Sequence, residues 1–304
     1  MEKREYTVSE ENCDIRIDRY LSMTLPDYSR SYLQHLIKDG LVLVNQVPVK
    51  ANHKVTIGEQ ILLQIPNPEN ISVAAENIPL DILYEDSDLL VINKPKGMVV
   101  HPSAGHYTGT LVNALMYHLG DNLSVIGGVL RPGIVHRIDM NTTGSLLVCK
   151  NDFAHQHIAA QLKEHSITRT YHAITHGVIK EDTGTIHAPI GRHLNDRKKM
   201  SIQSKNGKDA ITHYQVLEPF RQYTYVKCSL ETGRTHQIRV HLASIHHPLL
   251  GDNVYGPAKC PYPLQGQTLH AKVIGFIHPQ KREYMEFEAP LPTYFNDLLH
   301  KLPK

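Results

Sequence analysis

The 304-residue chain has little cysteine, almost no net charge and no long hydrophobic run. Its four cysteines are scattered along the sequence: Cys13, Cys149, Cys228 and Cys260. They form no C-x-x-C pair, which argues against a disulfide scaffold or a cysteine zinc site and predicts reduced thiols. The longest apolar runs are short, such as residues 41–44, so no membrane span is expected. With a polar, acidic N-terminal segment unlike a signal peptide, the sequence predicts a cytoplasmic protein.

Several motifs of common enzyme classes are also missing. The sequence lacks the P-loop, the G-x-G-x-x-G fingerprint and the G-x-S-x-G elbow. Phosphate cradling by a P-loop, a dinucleotide fold and an elbow nucleophile therefore have no support. The 21 histidines include close pairs, but none stands in an H-E-x-x-H motif or near a carboxylate at ligand spacing. We expect neither a metal nor a nucleotide or other cofactor.

The charge is unevenly distributed. Lys and Arg number 32 against 30 Asp and Glu, a net charge of +2, which does not suit a protein that binds nucleic acid over its whole surface. Residues 192–239, however, carry ten basic and four acidic side chains, with the densest run at 192–200 followed by Lys205 and Lys208. Two interpretations of this run stay open, a contact for a polyanion and a solvated surface hairpin.

The hydrophobic pattern divides the chain into two parts. Residues 14–66 predict two short amphipathic helices, one containing Ile17 and Leu21 and one starting after an N-cap at Ser29, followed by short strands. Residues 66–70 are typical of a linker. From about residue 79 onward, short β-branched runs between glycine and proline turns predict a strand-rich α+β domain, with buried strands at 89–92 and 145–149.

The most informative segment is 133–144, where Arg137 and Asp139 follow an apolar stretch and precede small turn-forming residues. A carboxylate on a loop between two buried strands can point into a cleft while its backbone stays rigid. The alternative is a turn-capping aspartate beside a surface arginine. Three other polar segments follow predicted strands: 93–102, 232–242 and 249–256.

These segments resemble the ordered motifs of RluA/RluD-type pseudouridine synthases. Residues 136–144 match H-R-L-D-x-x-T-S-G except at Ile138 and Thr143, and 233–239 match G-R-T-H-Q-I-R in full. Residues 93–102 and 250–256 match two further motifs of that family. Residues 14–73 resemble an S4 RNA-binding domain, although the glycine of its usual V-N-G turn is replaced at 44–46.

The resemblance implies an α+β fold: a small S4-like α/β RNA-binding module at 14–73, then a mixed, largely antiparallel β-sheet catalytic domain with flanking helices at 80–304. It implies isomerisation of uridine to pseudouridine without a cofactor. By motif position, Asp139 is the catalytic carboxylate and Arg234 pairs with it. Tyr171 stacks on the base or takes part in proton transfer. A core tyrosine is the alternative for Tyr171.

The resemblance also implies residues that bind substrate. Arg137 fills the gap left by a flipped nucleotide, Ile238 forms an apolar wall under the uracil, and His136 lies in the same motif. Core packing explains Ile238 equally well. In the S4-like module, the candidate phosphate contacts are Arg16, Arg30 and Lys54, for which solvated charge is the alternative.

We expect the protein to be a monomer and its partner to be RNA. Large-subunit ribosomal RNA is the first expectation and tRNA the second. Two other functions are consistent with part of the sequence. One is a catalytically inactive S4-domain protein that binds RNA or assists ribosome assembly, and the other is a metal-dependent hydrolase that uses the histidines.

Overall fold

The computed structural model describes residues 2–26, 28, 30–65, 73–103, 105–120, 122–128, 130–196, 199–202 and 206–304. The chain divides into two compact units, residues 1–71 and 72–304. The predicted N-cap Ser29, the linker at 66–70 and the basic residues Arg197, Lys198 and Lys205 lie outside the described residues. Among the described helices, none is long and apolar enough to cross a membrane.

The smaller unit packs two helices on a sheet. Its helices are α1 (Ile17–Thr24) and α2 (Arg30–Lys38). Its described strands are β1 (Glu2–Thr7), β2 (Val42–Val44), β3 (Val47–Pro48) and β4 (Gln60–Ile65), antiparallel in the order β1-β4-β2-β3. The apolar residues spaced for the inner faces, Ile17 and Leu21 of α1 and Leu33 of α2, are fully buried. Both helices are confirmed, whereas β1 was not predicted.

The larger unit contains eleven strands and four helices within the described residues. The strands are β5 (Ile82–Glu85), β6 (Leu89–Lys94), β7 (Thr143–Cys149), β8 (Thr168–His176), β9 (Thr183–His187), β10 (Gly191–Arg192), β11 (Met200–Ser201), β12 (Ile211–Pro219), β13 (Tyr223–Leu230), β14 (Leu269–Ile277) and β15 (Tyr284–Glu288). The helices are α3 (Leu111–Leu119), α4 (Asp152–Lys163), α5 (Gln237–Ser244) and α6 (Thr293–Lys301).

Nine of these strands form one sheet. Eight follow the order β5-β6-β7-β14-β8-β13-β12-β9, and β15 pairs with the C-terminal part of β14, residues 273–277. Only the β7–β14 pair is parallel in the described sheet. The expected mixed, largely antiparallel sheet with flanking helices is therefore confirmed. Strands β6 and β7 are apolar on both faces because each face is covered: Leu90 and Val148 pack in the core with α3, and Val91 and Leu147 in the core with α4.

The register at the sheet centre positions the polar motifs. Gly144, at the start of β7, lies opposite Ala271 of β14, which in turn lies opposite Tyr171 of β8. Gly144 has a φ of +106°, and a Cβ there would collide with the backbone of Ala271. Only glycine lets the strands approach this closely. The loop that precedes β7, with Asp139, is thereby brought close to Tyr171.

Candidate active site

One carboxylate oxygen of Asp139 is fixed by a hydrogen bond, and the carboxylate lines a pocket. Its Oδ2 accepts a hydrogen bond of 3.0 Å from Nη1 of Arg239, and its Oδ1 lies 3.9 Å from Nε2 of His236. The Asp139 carbonyl accepts the N–H of Thr142 at 3.0 Å, which closes the turn before β7. The side chain remains about one-fifth exposed, at 19%. A fixed, accessible carboxylate can therefore face a ligand.

The predicted pairing of Arg234 with Asp139 is wrong. The Arg234 Nε donates to the carbonyl of Asp209 at 2.9 Å, and no ion pair joins it to Asp139 within the described structure. The reason is local: the N–H of Arg234 donates to Oε1 of Gln237, which fixes it in the turn before α5. Arg239 lies inside α5 and is directed at the carboxylate. Both arginines belong to one motif, and spacing alone does not distinguish them.

Arg239 is itself anchored by a second carboxylate. Its Nε and Nη2 donate to the two oxygens of Asp252 at 2.7 and 2.9 Å, and both residues are buried. Burial acts to raise the pKa of Asp252, but the hydrogen bonds and charge of Arg239 outweigh it and leave the pKa lowered. Burial likewise opposes the charge of Arg239, whose pKa is nevertheless raised by Asp252 and Asp139. The guanidinium is thus a rigid, permanently charged support for Asp139.

His236 closes the pocket beside Asp139 from a strained backbone position. Its φ of +57° lies in the left-handed region, which is uncommon for residues other than glycine. Its Nδ1 lies 2.8 Å from the hydroxyl of Tyr255, which also accepts the N–H of Met200 at 2.8 Å. Burial lowers the pKa of His236, with Asp139 opposing, so the imidazole is neutral near pH 7.

Tyr171 faces the same pocket from β8. It is 8% exposed, and its hydroxyl makes no hydrogen bond to the described part of the chain. Burial raises the pKa of Tyr171, with a lowering contribution from Arg169 and a further raising one from Asp139. The phenol is therefore protonated at neutral pH, and its ring is available for contact with a ligand.

Two adjoining cavities bring the predicted residues of this unit together. A small inner cavity of about 50 Å³ is lined by Asp139, Tyr171, Arg137, Arg234 and Ile238, among others. A wider cavity of about 330 Å³ shares the first four of these and adds others, including His136 and Arg169.

The three predicted substrate-binding residues of this unit differ in their surroundings. His136 Nε2 accepts the N–H of Leu147 at 2.9 Å, and burial lowers the pKa of His136 to about 3. It is a neutral anchor that fastens the motif to β7. Ile238 is 4% exposed and belongs to the core as well as lining the inner cavity. Arg137 is exposed at the rim.

Lys94 is a further residue of the site to which no role was assigned from sequence. It is fully buried, and its Nζ donates to the carbonyls of Pro95, Met98 and Met140 at 2.7, 2.9 and 3.0 Å. Burial lowers the pKa of Lys94 to about 7, and the charge of Asp139 opposes that shift. The lysine ties the loop after β6 to the residue that follows Asp139. The signal in the sequence that could have indicated Lys94 is a lysine at the end of a buried strand.

In the smaller unit, a buried aspartate orients two of the candidate RNA contacts. Asp18 accepts hydrogen bonds from Arg16 at 3.0 and 3.2 Å, from Arg30 at 2.8 and 3.2 Å, and from Gln34 at 2.6 Å. About half of each arginine side chain remains exposed. Lys54 forms an exposed pair with Asp14 and a backbone bridge to Arg16. The three basic residues therefore lie near one another on this unit.

We expect the smaller unit to lose stability in acid through Asp18. Burial acts to raise the pKa of Asp18, but the hydrogen bonds from Gln34, Arg30 and Arg16 prevail and lower it to about 2. Because the folded pKa is below the unfolded value of about 3.9, this stabilisation, about 2 kcal/mol, is present above about pH 4 and is lost as the pH falls towards 2. Amide hydrogen exchange in α1 and α2, corrected for intrinsic rates, measures it at about pH 5 and about pH 3.

The matched control is Asp18→Asn, whose amide has no charge to lose. This variant should be less stable at about pH 5 and should lack the additional loss of protection in acid. Equal losses of protection in the two proteins on acidification would refute the assignment to Asp18.

Comparisons with known proteins identify the family of each unit. A family model described as RNA pseudouridylate synthase matches residues 88–244, and an S4 domain model matches residues 15–61. The chain is 53% identical over 304 residues to an uncharacterized RNA pseudouridine synthase, YlyB of Bacillus subtilis (strain 168), covering 100% of this chain and 99% of that protein. It is 45% identical to the ribosomal large subunit pseudouridine synthase D of Zymomonas mobilis, covering 96% and 95% respectively.

A solved structure gives the same result for the fold. Human RNA pseudouridylate synthase domain containing 1 superposes with a TM-score of 0.57 at 26% identity, over 78% of this chain and 99% of that one. The resemblance of the chain to this family and of its N-terminal segment to an S4 domain is therefore confirmed. The chain belongs to the RNA pseudouridylate synthase family and is an RNA pseudouridine synthase with an N-terminal S4 domain.

Proposed function

We propose that this enzyme converts uridine to pseudouridine in large-subunit ribosomal RNA, with Asp139 as the catalytic carboxylate. The observation that carries the catalytic assignment is the geometry of Asp139, whose Oδ2 is fixed by Arg239 while the carboxylate lines the same small cavity as Tyr171. The RNA class is supported by relatives 43–45% identical that are named ribosomal large subunit pseudouridine synthase D.

The reaction rearranges one nucleoside. The N1–C1′ bond breaks, the uracil turns, a C5–C1′ bond forms, and the C5 hydrogen leaves as a proton while N1 gains one. All other atoms stay with the substrate, so the isomerisation needs no oxidant or group donor. A preorganised anion beside C1′ stabilises the charge that develops there, and Asp139 supplies it. Arg239 and Asp252 keep that anion in place.

The neutral state of Tyr171 favours one of its two predicted roles. A phenol with a raised pKa is a poor base at neutral pH. Its buried ring, on the other hand, provides a face on which uracil can stack. Ile238 supplies an apolar surface in the same cavity. We therefore assign Tyr171 and Ile238 to holding the base while it turns.

Access to the target requires a flipped nucleotide, and this costs a few kcal/mol of stacking. Arg137, exposed at the rim, fills the space that the base leaves. In this proposal the S4-like domain at 14–73 holds RNA phosphates through Arg16, Arg30 and Lys54, and the catalytic domain at 80–304 acts on the uridine. We place both activities in the cytoplasm.

Transcriptome-wide pseudouridine mapping in a strain lacking the gene tests the RNA class. We expect a few positions in large-subunit ribosomal RNA to lose modification and to regain it when the wild-type gene is restored. Loss confined to tRNA would refute the ribosomal target while keeping the enzyme. An unchanged map would instead favour an inactive RNA-binding or ribosome-assembly protein.

A further inference from the structure

The wide cavity beside Asp139 is strongly cationic. Arg137, Arg169 and Arg234 line it, and the one carboxylate in its wall, Asp139, is paired with Arg239. The volume of about 330 Å³ exceeds that of the inner cavity and provides room beyond the space around the Asp139 carboxylate itself. An electropositive recess of this kind attracts an anion.

Arg169 is the unusual member of this set. It is 8% exposed, yet no carboxylate lies within ion-pair distance of it among the described residues. One protein acceptor is found, the carbonyl of Glu231 at 2.8 Å from Nη2, while the buried Nε has no partner. Burial lowers the pKa of Arg169; Tyr171 opposes that shift, and the positive charge of Arg234 adds to it. A buried charge without a counter-ion is unfavourable for folding.

Two features of the structure nevertheless fix the position of Arg169. It lies two residues before Tyr171 on β8, so both side chains project from the same face of the strand. A Cβ at position 233 would stand 2.5 Å from Nη1 of Arg169. The glycine before Arg234 thus makes room for the guanidinium. A costly, preorganised cation next to a reaction pocket is typical of a binding residue whose counter-ion is the ligand.

We propose that Arg169, with Arg234 beside it, binds a backbone phosphate of the nucleotide that enters the pocket. Phosphodiester groups are the anions that RNA carries, and guanidinium groups bind them with two parallel hydrogen bonds. This inference rests on the proposed action on RNA. It adds that the pocket recognises uridine as part of a strand, through its phosphate as well as its base.

The test measures RNA binding, so it is independent of turnover. All proteins carry Asp139→Asn, and the probe is transcribed large-subunit ribosomal RNA titrated over a range of salt concentrations. We expect Arg169→Met to weaken binding by about tenfold or more and to reduce the salt slope by about 0.7 to 0.9, the value for one phosphate contact. Arg169→Lys should keep most of the slope, because it retains the charge.

Folding is monitored by thermal unfolding. Methionine fills similar space without a charge, so Arg169→Met should be as stable as the parent or more stable. Arg221→Gln, an exposed arginine outside both cavities, is the matched control for loss of one charge. An Arg169→Met protein that keeps the parental affinity and slope would overturn the inference, and a loss of stability in that protein would make Arg169 structural. The proposed function fails separately, if wild-type enzyme makes no pseudouridine in this RNA.

Discussion

Replacing Asp139 with asparagine is expected to reduce pseudouridine formation by roughly 10⁴-fold or more, the scale found when an essential catalytic side chain is removed. Asparagine has the same shape but no charge, so the anion beside C1′ disappears. Arg239 keeps its two hydrogen bonds to Asp252, and the pocket should stay folded. Single-turnover assays with ribosomal RNA measure the rate, and thermal unfolding measures the fold.

RNA affinity serves as the control for this variant, since Asp139 contributes one carboxylate to a site whose other charges are positive. Binding should be unchanged or slightly tighter. A variant that formed pseudouridine at a rate within tenfold of wild type would show that another group supplies the anion.

The second large effect is expected from Asp252→Ala. This change leaves the buried Arg239 with Asp139 as its remaining carboxylate partner. Breaking a buried ion pair from one side costs about 3–5 kcal/mol, which urea unfolding measures. The guanidinium also loses the anchor that directs it to Asp139. Because a displacement of about 1 Å in an active site can cost about 10²-fold in rate, activity should fall by at least that factor in protein that remains folded.

Glu218→Ala is the matched control, because it removes a carboxylate whose partner Lys304 is exposed at the surface. Its effect should be within about 0.5 kcal/mol, with normal activity. Equal stability losses in the two variants would contradict the role of Asp252 as the anchor of the site.

Much of the fold could be predicted from the sequence because its patterns are local. Ile17 and Leu21 repeat at helical spacing, and the apolar runs at β6 and β7 indicate strands covered on both faces. The motif around Asp139 was recognisable for a similar reason, since a charged residue between two buried strands stands out. The order of the strands could not be predicted from this pattern, because it depends on contacts between residues far apart in the chain, such as Gly144 and Ala271.

The partner of Asp139 illustrates the limit for the site. Arg234 and Arg239 share one motif, and the choice between them depends on where α5 begins and which way it turns. Asp252 was visible in its motif, but its two hydrogen bonds to Arg239 depend on how the chain folds back after α5. Arg169 stands on a strand as an ordinary charged residue, and only its burial without a carboxylate singles it out.

Above all, we predict that the pseudouridine synthase activity of this chain depends on Asp139. Release of tritium from RNA labelled at uridine C5 tests this directly, because the C5 hydrogen is lost only when the C5–C1′ bond forms. With ribosomal RNA from the deletion strain, wild-type enzyme should release tritium in proportion to the positions it modifies, and folded Asp139→Asn should release none above background. Release by the variant at the wild-type rate, or none by the wild-type enzyme on any cellular RNA, would contradict the account.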